Sequence, residues 1–236
     1  EALPTFSQLA DDDILLRVHA VGLNFRDVLN VLGMDPTGTV RPIGGEFAGR
    51  LLTQKDSCVF GLAPGGLSTF MEAFAPQISR MPASLPFECA VTLPVVWVTA
   101  NYAVGDCAAR GRQRMLLHAA TGGVGLALTE MLHWARVDVV GSAGSPTKHS
   151  IMRSLGMMLC GSSRDASTLA LVLACFLGTQ RLHAAFNTLS NDFIPVSLVH
   201  LCERGIMSEI GKLKVWSAAR LAACTAPAGG ANSACR

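Results

Sequence analysis

The sequence predicts an α/β protein in two parts, a β-rich first part and a second part with a parallel sheet flanked by helices. Three observations predict it. Apolar residues alternate with period two near the start, and Gly and Pro turn signals are dense through the first third. From Pro86 onward, strand-like runs alternate with helix-like runs, as βαβ units require. At 236 residues there is room for one large domain or two small ones. Only 15% of residues are charged and 50% are hydrophobic, which excludes a disordered, acidic or polybasic chain. The formal charge of +2 gives no electrostatic reason to expect nucleic acid or an anionic membrane as partner.

In the first part (1–85), Ile14, Leu16, Val18 and Ala20 alternate with Leu15, Arg17 and His19, the pattern of a half-buried strand. Turn residues follow from Gly33 to Gly49 and from Gly61 to Gly66, which suits short strands. In the second part (86–216), strands are expected at Met115–His118, Val137–Gly141, Met158–Cys160, Ala184–Asn187 and Met207–Gly211. Helices are expected at Gly123–Ala135, Pro146–Leu155, Ser167–Leu177 and Ile194–Arg204. The stretch 217–236 is rich in Ala, Cys, Gly and Pro without an amphipathic period and reads as an irregular tail. The longest apolar run lies between Glu88 and Asp106. Pro94 interrupts it, so it reads as buried core and not as a membrane span, which needs ~20 apolar residues. The 8 cysteines form no CxxC pair and no zinc-finger spacing with histidine. They read as packing thiols of a reduced, intracellular and cytoplasmic protein.

The strongest local signal is LLHAATGGVGLALTEML. An apolar strand ends at His118, Gly122, Gly123 and Gly125 follow, and a helical pattern begins. This is a relative of the dinucleotide fingerprint, with Ala120 at its first glycine position and Val124 between the last two glycines. The chain must turn tightly out of the strand and let a diphosphate approach the backbone. The helix start then offers N–H groups and a positive dipole end to the anion. NAD-binding units carry Asp or Glu at the end of the second strand, to bond the ribose 2′-hydroxyl. Here that strand runs into Ser142, Ala143 and Ser145, with Lys148, His149 and Arg153 beyond. Hydroxyls and cations without a carboxylate suit a 2′-phosphate, so NADPH is the expected cofactor.

Further motifs occur in one order: GLNFRDVLNVLGM, IGGEFAG, FGLAPGGLSTF, VTLPVVWVTANYAV, LLHAATGGVGLA, AGSPTKHSIMRSLG, CGSSRD, FNTLSNDFI and IMSEIGK. Together they resemble the enoyl reductase domain of polyketide synthases and animal-type fatty acid synthases, in the zinc-independent medium-chain dehydrogenase/reductase superfamily. The resemblance implies a GroES-like β-barrel substrate domain followed by a Rossmann domain, with the nicotinamide in the cleft between them. It implies NADPH-dependent reduction of a 2-enoyl thioester on an acyl carrier protein, with neighbouring synthase domains as partners and a homodimer as one open assembly. Site residues carried over are Asn24, Arg26 and Asp27 of NFRD and Thr99 at the nicotinamide, with Ala120, Gly122, Gly123, Val124 and Gly125 at the pyrophosphate. Ser142, Ser145, Lys148 and His149 match the adenosine-phosphate pocket, Asn187 lies beside the cofactor, and Lys212 is a candidate catalytic donor.

The sequence also departs from the family. Family members often carry tyrosine where Asp35 stands, a suspected proton donor to the α-carbon. Protonation then falls to Lys212, to water, or to Asp35 itself if its pKa is raised. Both domains read as incomplete. The barrel is short around TQKDSC, and the parallel sheet stops after about five strands, so the chain reads as an excerpt with the Rossmann part truncated. Where zinc-dependent relatives read Gly-His-Glu, this chain has Gly44, Gly45 and Glu46, so no metal is expected. Two alternatives stay open: a quinone-reductase-like oxidoreductase and a catalytically impaired structural domain of a megasynthase.

Overall fold

The computed structural model describes residues 13–34, 38–53, 57–211, 216–217 and 219–220. The chain forms two compact units, Glu1–Val96 and Trp97–Arg236. Asp35 and Lys212 lie outside the described residues, as does most of the tail.

The first unit contains β1 (Asp13–Gly22), α1 (Phe25–Val31), β2 (Glu46–Leu51), β3 (Cys58–Leu62), β4 (Phe70–Phe74), β5 (Ile78–Arg80) and α2 (Phe87–Ala90). The strands form one antiparallel sheet in the order β4-β1-β2-β3-β5. The expected period-two strand is β1. Leu16 is fully buried and packs with Phe47, Val59, Ala63, Met71 and Ala73. The alternation breaks at His19. Val18 pairs with Gly49 and Ala20 with Ala48, so His19 is the extra residue of a bulge. Its ring stacks on Phe87 at 4.5 Å, and the Arg50 guanidinium lies 5.7 Å from the same ring. Burial and the neighbouring Arg50 and Arg17 hold the His19 pKa below its ordinary value.

α3 (Pro94–Cys107) crosses from the first unit into the second. The second unit continues with β6 (Arg114–Leu117), α4 (Gly123–Trp134), β7 (Asp138–Ala143), α5 (Pro146–Ser154), β8 (Leu159–Ser162), α6 (Ala166–Leu177), β9 (Leu182–Asn187), α7 (Phe193–His200) and β10 (Leu201–Glu209). All four strand pairings are parallel, and the order is β10-β9-β6-β7-β8. The predicted fold class is borne out: a Rossmann-type sheet preceded by the sheet of a GroES-like domain. The order reverses between β6 and β9, and a ligand crevice is expected outside the carboxyl ends of those two strands. Leu116, Val140, Leu169, Leu173, Leu177, Leu182 and Ala185 form the core between the sheet and α6. That is why α6 is apolar on its buried stripe at Leu169, Leu173 and Leu177.

Three expectations need correction. The last helix ends at His200, four residues early, because Leu201 joins the sheet opposite Leu182 and the register then slips before Ile206. The polar Cys202-Glu203-Arg204 run is an irregular part of β10 and not a last helical turn. The apolar run around Pro94 is not wholly core either. Phe87–Cys107 is long and apolar enough to cross a membrane by length and composition, but a turn at 91–93 divides it into α2 and α3. At 1.5 Å per residue, α3 reaches roughly 21 Å, short of a ~30 Å hydrocarbon core. Ala100, Ala103 and Cys107 are buried, while Val98 and Tyr102 on the same helix are exposed. Among the cysteines, Cys107 packs as expected and burial pushes its pKa up to about 11. Cys89 and Cys175 are exposed and do not pack.

Leu173 is fully buried at the centre of the core under α6. Leu173→Ala is expected to lower the stability by about 2–5 kcal/mol in urea denaturation.

Candidate cofactor site

The glycine turn stands at the carboxyl end of β6. Ala119 takes a left-handed conformation with φ 48° to start it, which is uncommon for a residue with a side chain. Its carbonyl accepts from Gly122 N at 2.9 Å, and Ala120 N donates to Ser142 O at 3.0 Å. A Cβ on Gly125 would stand 2.6 Å from Ala119 O and 2.7 Å from the Ala120 carbonyl carbon and oxygen. Only glycine lets α4 lie this close to the turn. The five residues therefore divide into two groups. Ala120 and Gly125 are buried and shape the turn, while Gly122 and Gly123 are exposed and Val124 half-exposed at the start of α4. Gly122 is the N-cap and supplies no side-chain hydrogen bond. The first-turn N–H groups of α4 thus lack the partner a Ser or Asp cap supplies, as an anion site requires.

At the end of β7, Ser142 is fully buried and does not reach the surface as expected. Its hydroxyl lies 2.9 Å from His118 Nδ1, and His118 Nε2 lies 2.8 Å from Ser197 Oγ. Ser197 Oγ donates to Phe193 O at 2.8 Å, so it accepts from His118 Nε2–H. That assigns the remaining bond: Ser142 Oγ–H donates to the unprotonated Nδ1. Ser142 is a support for the turn and not a phosphate contact. Burial pushes the His118 pKa down to about 4.

The other expected residues here do face outward. Ser145 caps α5, accepting from Lys148 N at 3.4 Å, and Lys148 is exposed. His149 is half-buried, and its Nε2 donates to Ala143 O at 2.9 Å. Arg164 was not expected. It comes from beyond β8, is exposed, and donates through Nε to Gly144 O at 2.8 Å, between Ser142 and Ser145. A second cation therefore stands at the end of β7 beside Lys148. Its signal was present in the CGSSRD motif, but only the fold brings that segment against Gly144.

Asn187, at the carboxyl end of β9, is fully buried. Its Nδ2 donates to Leu189 O at 2.6 Å and to Glu209 Oε2 at 2.7 Å, and its Oδ1 accepts from Leu189 N at 3.3 Å. Both amide hydrogens are spent on protein, so Asn187 fixes the turn and does not present its amide to a cofactor. Glu209 was missed by sequence reasoning. Its Oε1 also accepts from Gly211 N at 2.8 Å, just before Lys212.

In the first unit, Asn24 and Asp27 form a capping box at the start of α1. Asp27 Oδ2 accepts from Asn24 N at 2.8 Å and Oδ1 accepts from Gly44 N at 2.9 Å. Asp27 thereby ties the NFRD turn to the Gly44-Gly45-Glu46 segment. Asn24 Nδ2 donates to buried Glu46. Arg26 is exposed and lines a small depression with Asn30, Arg41, Pro42 and Pro64. Thr99 is half-buried on α3 in the second unit.

No protein-family model matches the chain. The spectinabilin polyketide synthase system protein NorB of Streptomyces orinoci is 34% identical to it, over 91% of this chain and 10% of that protein. The chain thus spans about a tenth or less of the length of the curated relatives it matches. Among solved structures, CurK enoyl reductase is similar with a TM-score of 0.87 and 29% identity, over 95% of this chain and 73% of that one. A mycobacterial protein, Rv1454c, solved in complex with NADPH, shares the fold with a TM-score of 0.81 and 23% identity, over 94% of this chain and 73% of that one.

The buried His118 network generates a pH prediction. The folded state favours neutral His118, whose pKa falls from 6.5 to about 4. Its contribution is complete above pH about 6.5, declines as the pH falls toward about 4, and is constant below that. The loss amounts to about 3 kcal/mol at most. Urea denaturation of wild type and His118→Asn at pH 7 and pH 4.5 checks it: the variant is expected to show a shallower loss across that interval.

Proposed function

We propose, for a chain that belongs to the enoyl reductase family of the polyketide synthases, that it reduces a carrier-bound 2-enoyl thioester to the saturated acyl chain with NADPH. The observation that carries this reading is the bare start of α4 behind Gly122 and Gly123, at the point where the strand order reverses. That cradle fits a dinucleotide diphosphate. It has no side chain in the way, N–H groups pointing outward and a positive helix end.

Gly122, Gly123 and Val124 hold the diphosphate through their backbone. Ser145, Lys148 and Arg164 hold the 2′-phosphate; no carboxylate stands among residues 142–145 to repel it. When bound, the reduced nicotinamide supplies hydride to the β-carbon of the conjugated thioester. The protein's work is then orientation of the two reactants and electrostatic support for the thioester oxygen. Asn24 and Thr99 position the nicotinamide end, with Asp27 holding the NFRD turn in shape. Lys212 is the proposed source of the α-carbon proton, with Asp35 as the second candidate. The partners are an acyl carrier protein bearing the enoyl chain and the neighbouring domains of a synthase, in the reducing environment that free thiols suit.

The test of the reaction is NADPH consumption with a crotonyl thioester and with a quinone. Turnover of the thioester with little of the quinone is expected; the reverse preference overturns the reading. The cofactor assignment has its own test. Lys148→Glu sets a carboxylate against the 2′-phosphate and is expected to weaken NADPH by about tenfold or more, with a smaller effect on NADH. Fluorescence titration of both cofactors checks this, and equal weakening rejects the assignment.

A further inference from the structure

We infer that the amino end of the second unit's sheet is a docking surface for a carboxylate-rich face of a neighbouring protein domain, gripped by Arg110, Arg112, Arg136 and Trp134. The cofactor reading uses the carboxyl ends of the strands and leaves this end without a task. There the chain reads ARGRQR into β6 and HWARVD into β7. The two strands pair in parallel, Arg114 with Asp138, so both segments lie at one end of the sheet. Arg110, Arg112 and Arg136 are exposed. Trp134 is 90% exposed.

The turns that carry these side chains are tied together. Arg112 N donates to Arg136 O at 2.9 Å, and Asp138 N donates to Gln113 O at 2.8 Å. Gln113 Oε1 accepts from Arg110 N at 2.8 Å, which holds the first turn. Arg112 and Arg136 have φ 66° and 59°, the left-handed region where glycine sits without a clash. The backbone there favours glycine and the chain supplies arginine. Such an outlier points to a use for the side chain. Among the described residues, neither guanidinium has a hydrogen-bond or carboxylate partner.

A guanidinium presents a planar fork that matches a carboxylate, and an exposed indole is the kind of anchor that interface centres use. No lysine stands among residues 106–138, so every cation of this end is the forked kind. Nucleic acid fits less well. The formal charge of the chain is only +2, and Glu130 and Asp138 bracket the Trp134–Arg136 turn in sequence. The carrier of the substrate fits less well too. It has to present its acyl group at the carboxyl ends of the strands, the other end of this unit. The occupant is therefore a domain held beside the sheet while the chemistry proceeds. Its identity as a synthase neighbour rests on the proposed function; the carboxylate recognition does not.

The probe is a labelled helical peptide with glutamates along one side and leucines along the other. Its counterpart has glutamine for each glutamate, and polyadenylate is the nucleic-acid control. Anisotropy titrations use the full chain, with thermal midpoint and NADPH Kd measured beside them. The glutamate peptide is expected to bind saturably, and more weakly as salt is raised. Arg112→Gly/Arg136→Gly keeps the backbone that both turns require and is expected to weaken the peptide about tenfold or more, with the melt and the NADPH Kd unchanged. Trp134→Ala is expected to weaken it similarly. The inference is overturned by no saturable binding of the glutamate peptide, by equal binding of the glutamine peptide, or by tighter binding of polyadenylate. It is also overturned by a glycine pair or a Trp134→Ala chain that binds like wild type. If the glycine pair does not fold, Arg110→Gln and Trp134→Ala decide: weaker peptide binding in both supports the surface, and wild-type binding overturns it. A wild-type chain that binds the peptide but not NADPH sinks the reductase reading and leaves the docking surface standing.

Discussion

The contact of α4 with the end of β6 is the constraint on which the cofactor site depends. Gly125 lies against the backbone of Ala119 and Ala120 with no space for even one more carbon. That approach forces the left-handed Ala119, carries Ala120 under the turn and leaves the first N–H groups of α4 pointing outward. The sheet order then gives the turn its meaning. β6 sits between β7 and β9, so the open helix start faces the place where the strand order reverses. His118 secures the arrangement from below. Its two ring nitrogens join the ends of β6 and β7 to α7 inside the core, where an unpaired polar group would be expensive.

A second theme recurs in each unit separately. In the first, a buried glutamate accepts from an asparagine amide and a backbone N–H: Glu46 from Asn24 and Val95. In the second, Glu209 accepts from Asn187 and Gly211. A carboxylate cannot donate, so each clamp dictates the orientation of its asparagine. The two asparagines differ in what is left over. Asn187 has spent both amide hydrogens and is wholly enclosed, whereas Asn24 is only half-buried.

The architecture was largely legible because it rests on short-range signals. The β6–α4 turn, the strand at β7 and the helix at α6 follow from apolar period, glycine and cap residues that act within a few positions. The misplaced end of α7 shows the limit: Leu201 leaves the helix because Leu182 waits for it across the sheet, and that pairing spans many residues. The site was legible in kind and less so in detail. The family resemblance put Ser142 and Asn187 near a cofactor, but burial turns both inward to hold loops. Arg164 and Glu209 escaped notice for the converse reason, since Arg164 bonds Gly144 and Glu209 bonds Asn187, each about twenty residues away. Asp35 and Lys212 fall outside the described residues.

Gly122 permits the most direct test of the diphosphate cradle. Its backbone lies in the extended region, and a Cβ there would meet only Ala119 O, at 3.3 Å. Gly122→Val should therefore fold while filling the space in front of the α4 N–H groups. Titration of that variant with NADPH, beside its thermal melt, is expected to show the wild-type transition and no saturable binding. A folded Gly122→Val protein that binds NADPH as tightly as wild type would contradict the account.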